Sequence, residues 1–280
     1  MNATREVSNA VSDRGYVLVP GVLDKSILSE LRAVTDELLR NYSAADREKY
    51  KYQGSNIAME YQHPVFARLI AWPRTIQALA ELGFDDLRYW SGYILSKPPH
   101  APPLYWHQDW WAWDDAISAD PVPAQLFLMY YLTDTRRENG CLRVIPGTHR
   151  RRIPFHDELD EPHTDKSYHA DPNSPLFRDH PDAVDVLVRA GDLVVGDARL
   201  LHAAHANQSD QRRTLLTLWY FGRFNRLSES LQAAIATGDP SPPASLDPEL
   251  RRSLDPLLPR YRGAAEPAKW NRVPGAHLKS

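Results

Sequence analysis

Two side chains able to hold a metal sit one residue apart in a stretch crowded with aromatics. Residues 104–115 read LYWHQDWWAWDD and place His107 and Asp109 among Trp106, Trp110, Trp111 and Trp113. In an extended segment alternate side chains share a face, so the imidazole and the carboxylate point the same way. Such a pair supplies two of the three protein donors of the 2-His-1-carboxylate set that holds non-haem Fe(II) with coordination positions left open. A single His-x-Asp also fits a polar loop edge beside a tryptophan-rich core. A third donor from elsewhere in the chain separates the two readings.

That donor is sought in residues 190–224. Ala190, Gly191 and Asp192 form a turn signal, 193–201 read as a strand, 203–211 as a polar connection and 214–221 as a second strand. His202 ends the first strand and Arg213 opens the second. Pairing of the two as antiparallel neighbours would let both face one cavity, where the planar guanidinium can grip a carboxylate through two bonds. His205 is the rival to His202. Arg212 is the rival to Arg213, and strand alternation sends the two arginines to opposite faces.

These residues carry a resemblance. Lys97-Pro98-Pro99, His107-Gln108-Asp109, the run from Asn139 and Gly140 through Cys141 to His149, Gly191-Asp192 and then His202, Asn207, Ser209 and Arg213 stand in one order. In that order and spacing the chain resembles the phytanoyl-CoA dioxygenase family of Fe(II)- and 2-oxoglutarate-dependent oxygenases, from about Gly15 to Phe224. The resemblance implies Fe(II) on His107, Asp109 and His202, with His205 left to the rim. It also implies 2-oxoglutarate as cosubstrate, with Arg213 on its distal carboxylate, and dioxygen at the last open position. By position relative to the motifs Tyr93 and Met129 are further cosubstrate contacts, and Gln125 shares a face with Met129. Ala204 departs from the pattern, which often has serine there. The implied reaction hydroxylates an unactivated C–H bond of a small molecule or secondary metabolite, releasing succinate and CO2. Desaturation or cyclisation at the same site is the alternative. A non-catalytic cupin-type binding protein ranks lower because neither a metal donor nor the arginine is lost, and a zinc hydrolase because it would not need Arg213. Related halogenases have a small residue where Asp109 stands, so chloride is not expected to react. Trp111 and Trp113 fall on the ligand face by parity and are candidates for packing the substrate, with ordinary core packing as the bland reading. His149 reads as a turn anchor. His100, His156, His163, His169 and His180 lie in loop-like sequence and read as solvated.

The elements that must position these groups follow from length and pattern. With 280 residues the chain can bury one large core. A single domain over 1–280 is expected, with a lid-like insertion at about 150–182 and a C-terminal extension at about 225–280. The lone Cys141 excludes an internal disulfide and fits a reducing compartment. A net charge of −3 gives no electrostatic footprint for nucleic acid. No apolar run reaches the roughly 18 residues of a membrane span, so the expectation is a cytoplasmic protein without membrane partners. A short strand at 14–19 leads to a helix capped by Asp24. Residues 40–62 read as irregular, and 64–83 as one or two helices with Pro73 at a break. From 87 onward short strands at 87–96, 125–132 and 141–145 indicate an antiparallel barrel or sandwich. The resemblance gives it a name: a mainly β, α+β fold with a double-stranded β-helix (jelly-roll, cupin-like) core buttressed by helices.

Overall fold

The computed structural model describes residues 11–59 and 61–279. Two antiparallel sheets face each other. The larger runs in the order β1 (Tyr16–Val19), β8 (Leu193–Asp197), β5 (Gln125–Tyr131), β10 (Arg213–Phe221), β3 (Arg88–Lys97) and β2 (Ile57–Ala58). The smaller runs β4 (Leu104–His107), β9 (His202–Ala204), β6 (Leu142–Val144) and β7 (Val184–Val186). This is the expected double-stranded β-helix.

The apolar runs are explained by burial on both faces of the large sheet. From β5, Leu126, Leu128 and Tyr130 join the core beneath the helices, whereas Phe127, Met129 and Tyr131 join a cluster between the sheets. In β10, Leu216, Leu218 and Tyr220 face the helices, and Arg213, Leu215, Thr217 and Trp219 face inward. The buttress includes α1 (Lys25–Arg40), whose first turn is closed by Asp24 accepting from the amides of Ser26 and Ile27. Ile27, Leu28 and Leu31 are its buried stripe. Within 40–62, expected to be irregular, lie α2 (Ala44–Lys49) and strand β2. Ser43 caps α2 by accepting from the Asp46 amide and donating to its carboxylate, a device too short to leave a helical period. The region 64–83 forms two helices, α3 (Pro64–Ile70) and α4 (Pro73–Glu81), each opened by its proline.

The expected strand over 193–201 is broken, and this corrects the route by which the site is assembled. Strand β8 stops at Asp197, and His202 opens β9 in the opposite sheet; neither pairs with β10. The corner is built by Asp197 and Arg199, both almost fully buried. Asp197 accepts from the Arg199 amide at 2.9 Å and pairs with its guanidinium at 2.7 Å, while Arg199 donates on to the Ser118 and Asp120 carbonyls at 2.7 and 2.8 Å. Each nitrogen of the buried guanidinium is thereby bonded at the turn of the chain. His202 and Arg213 therefore meet across the barrel rather than along one hairpin.

Residues 150–182 hold a short helix, α5 (Asp165–Tyr168), between two 3-10 turns. They are tied down by Trp106 Nε1 donating to the Arg178 carbonyl at 2.8 Å and the Tyr52 hydroxyl donating to that of Ala170 at 2.6 Å. After α6 (Glu229–Ala236) and α7 (Pro248–Leu254) the tail returns to the site. The Asn271 amide donates to the Trp111 carbonyl at 2.7 Å, and the Trp270 ring stacks on Trp111 at 4.9 Å. Among the described residues no helix is long and apolar enough to cross a membrane.

Candidate active site

His107 ends β4 and His202 begins β9, directly opposite in register. Each imidazole is fixed by its Nδ1, which lies 3.0 Å from a backbone carbonyl two residues earlier, Tyr105 for His107 and Leu200 for His202. With Nδ1 donating, each Nε2 is left as a lone-pair donor. Asp109 lies just past the strand, placed by its amide donating to the Ala198 carbonyl at 2.8 Å. The Asp197–Arg199 corner thus positions the carboxylate as well as His202. Asp109 Oδ1 is 3.7 Å from His107 Nε2, and Oδ2 is 3.7 Å from His202 Nε2. Donors bound to one ion at about 2.1 Å stand ~3.0–3.4 Å apart, so a small inward movement onto a metal completes the set. The Trp219 indole donates to Asp109 Oδ2 at 2.9 Å and fixes the carboxylate's rotation.

The electrostatics suit a cation. Burial, followed by the facing His202, holds His107 well below the ordinary imidazole value. Burial alone would raise Asp109, but the His202, His163 and His107 rings reverse this and hold it well below the usual carboxylate range. A neutral imidazole beside an ionised carboxylate is the protonation state a divalent metal requires.

The donors open on a chamber of about 560 Å³, large enough for a cosubstrate and a small molecule. At the β3–β10 side Arg213 is level with Lys97. Burial, then the Arg213 and Arg143 cations, hold Lys97 well below its ordinary value, and its Nζ is bonded to the Tyr52 and Pro102 carbonyls. Arg213, 3% exposed, has no acidic partner among the described residues, and its Nε is buried without a hydrogen bond. A buried guanidinium left so is matched to an incoming anion. Met129, Tyr131, Leu142 and Leu215 form apolar wall nearby. Arg212 points away, toward Ser96 Oγ at 3.4 Å.

A family model described as phytanoyl-CoA dioxygenase matches residues 11–215. The chain belongs to the phytanoyl-CoA dioxygenase family. It is 27% identical over 237 residues to an ectoine dioxygenase of Halomonas elongata, covering 79% of this chain and 70% of that one. It is 25% identical over 224 residues to a probable alpha-ketoglutarate-dependent hypophosphite dioxygenase of Stutzerimonas stutzeri, covering 74% and 75%. Among solved structures, the non-heme alpha ketoglutarate dependent carbocyclase SnoK from nogalamycin biosynthesis superposes with a TM-score of 0.58 at 25% identity, covering 81% and 92%.

Within this family frame, several sequence expectations meet a different structure. Tyr93 and Met129 border the chamber, but Gln125 does not. It sits one strand end away, opposite Phe221, buried with both side-chain polar atoms unpartnered. Trp111 and Trp113 are also outside the chamber. The strand parity that put them on the ligand face ends at His107, and both rings pack with Phe221, Phe224, Leu231 and Ile235 in a separate core. The tryptophans that do line the chamber are Trp90, Trp219 and Trp270, contributed by β3, β10 and the tail. His205 turns to Asp185, 2.6 Å away, and does not border it. Asn207 is a strut whose amide donates to the Pro98 and Gln211 carbonyls at 2.9 and 2.8 Å. His163, expected to be solvated, instead enters the site, its Nε2 3.6 Å from Asp109 Oδ1. Arg272 reaches the Asp109 carbonyl at 3.3 Å. Neither belongs to a periodic segment or a motif, so only the tertiary path of lid and tail brings them here.

Proposed function

We propose that the chain is an Fe(II)- and 2-oxoglutarate-dependent dioxygenase that hydroxylates an unactivated C–H bond of a small molecule. The observation that carries this reading is one chamber holding both a His107–Asp109–His202 donor set and the buried, acid-free Arg213. A zinc hydrolase has no use for such an arginine. Iron, 2-oxoglutarate and dioxygen together supply the oxidation: the cosubstrate loses CO2 to become succinate, one oxygen atom enters succinate and the other the substrate. The protein's part is binding and orientation. His107, Asp109 and His202 would hold the metal by one face, and the Trp219 indole keeps the carboxylate from rotating away. Arg213 takes the distal carboxylate of the cosubstrate against the apolar wall. Trp90, Trp219 and Trp270 give the substrate aromatic walls, with the exposed Trp270 at the solvent edge.

The test is a screen of small molecules for succinate formation above the substrate-free rate, repeated under oxygen-18 gas. One labelled hydroxyl per succinate is the expected product, and excess chloride should leave it unchanged because Asp109 fills the position a halide would need. A chlorinated product, or succinate formation indifferent to every substrate and to loss of iron, would contradict the proposal. Cyclisation is the second reading, favoured by the likeness to the carbocyclase SnoK; a cyclised product without label would select it.

A further inference from the structure

His163 repeats the chemistry of the two histidines already described. Its Nε2 stands 3.6 Å from Asp109 Oδ1, the same oxygen that lies 3.7 Å from His107 Nε2. Its Nδ1 is 3.4 Å from the Tyr105 hydroxyl, which can accept from it and leave Nε2 as the lone-pair donor. The donor atoms of His107, Asp109 and His163 all lie within 4.8 Å of one another. At 3.6 Å the imidazole makes a long charge contact with the carboxylate, a separation that a shared ion would also occupy. Its backbone is left-handed, with φ 60°, an uncommon conformation for a residue with a Cβ. The turn is fixed from the far side by Thr164, which caps α5. His163 differs from the other donors in origin. It comes from the lid-like segment, and its side chain is 21% exposed where those of His107 and His202 are 4% and 2%.

We propose that His163 is a displaceable fourth protein ligand of the metal, carried by the lid. The inference rests on the iron and 2-oxoglutarate reading. Of the six positions around such a metal, His107, Asp109, His202 and a chelating cosubstrate would fill five. A fourth protein donor takes the sixth, which dioxygen needs. His163 therefore guards the metal while the chamber lacks substrate, and entry of substrate beneath the lid moves it off. The partly exposed side chain and left-handed backbone make this donor the easiest of the four to release.

Cu(II) serves as the probe, loaded into the full chain without cosubstrate, with coordinated imidazoles counted by pulsed EPR. Three are expected in the wild type and two in both His163→Ala and His163→Gln, while His202→Ala also loses one. Two in the wild type, unchanged in both His163 variants but reduced by His202→Ala, would overturn the proposal and leave the dioxygenase reading standing. A count indifferent to His202→Ala would remove both. As an independent readout, His163→Ala with Fe(II) and 2-oxoglutarate should form succinate without substrate several-fold faster than the wild type. An unchanged rate would contradict the guarding role.

Discussion

In the proposed function a single guanidinium, that of Arg213, decides whether the chamber can use a dicarboxylate. Removing the charged partner of a buried carboxylate costs about 3 kcal/mol or more, so Arg213→Ala should raise the 2-oxoglutarate requirement ~100-fold or beyond with metal affinity nearly unchanged. Arg212→Ala, on the outward face, should leave the requirement as it was; equal loss in both would contradict the register of β10. Isothermal titration under anaerobic conditions measures both quantities. Trp219→Phe keeps an aromatic ring but loses the pyrrole portion of the indole, and with it the donor to Asp109. Lost partners of metal-binding carboxylates commonly cost about 10- to 100-fold in metal affinity, and that is the expected change on titration. At this scale the sequence was most legible where side-chain chemistry and motif spacing coincide: His107, His202 and Arg213 border one chamber. It was least legible where a donor arrives from irregular chain. His163 and Arg272 have neighbours that say nothing about where the lid and tail will lie, and Trp111 and Trp113 were misplaced because parity was carried past the end of β4.

Among the elements, the corner after β8 positions the most and is the least visible in sequence. Asp197 and Arg199 are a buried pair whose disruption leaves an unpaired charge, so Arg199→Met should destabilise the fold by ~3–5 kcal/mol. The same variant should loosen metal binding, since the corner holds both Ala198, which receives the Asp109 amide, and the approach to His202. Thermal unfolding alongside metal titration would show both effects; a stability loss with intact metal affinity would free the corner from its positioning role. Within β8, a Cβ on Gly196 would meet the Phe127 ring at 2.0 Å, and that ring lies 4.9 Å from His202. The strands buried on both faces, β5 and β10, were plain from their apolar runs, and α1 from its period and cap. The break at 198–201 was not, because Leu193, Val194 and Val195 continue toward Leu200 and Leu201 as though one strand, and only the burial of Asp197 with Arg199 reveals the turn.

At the scale of the whole molecule, the two sheets, the lid and the tail divide the work. The sheets carry the residues proposed for metal and cosubstrate, whereas the tail adds Trp270 and Arg272 to the chamber lining and is stitched to residues 111–114. Trp270→Ala should therefore weaken coupling of succinate to product, leave 2-oxoglutarate binding unaltered and relax the fluorescence of the stacked Trp111. Order of motifs made the family and its β-helix readable, but the shape of the substrate chamber depends on segments without periodicity. The central claim is that His107, Asp109, His202 and Arg213 form one iron and 2-oxoglutarate site. Anaerobic addition of Fe(II) and then 2-oxoglutarate tests it most directly, because cosubstrate chelated to iron gives a visible charge-transfer band. The band is expected in the wild type and in His205→Ala, and is expected to vanish in His202→Ala. No band in the wild type, or a band lost with His205 and kept without His202, would contradict it.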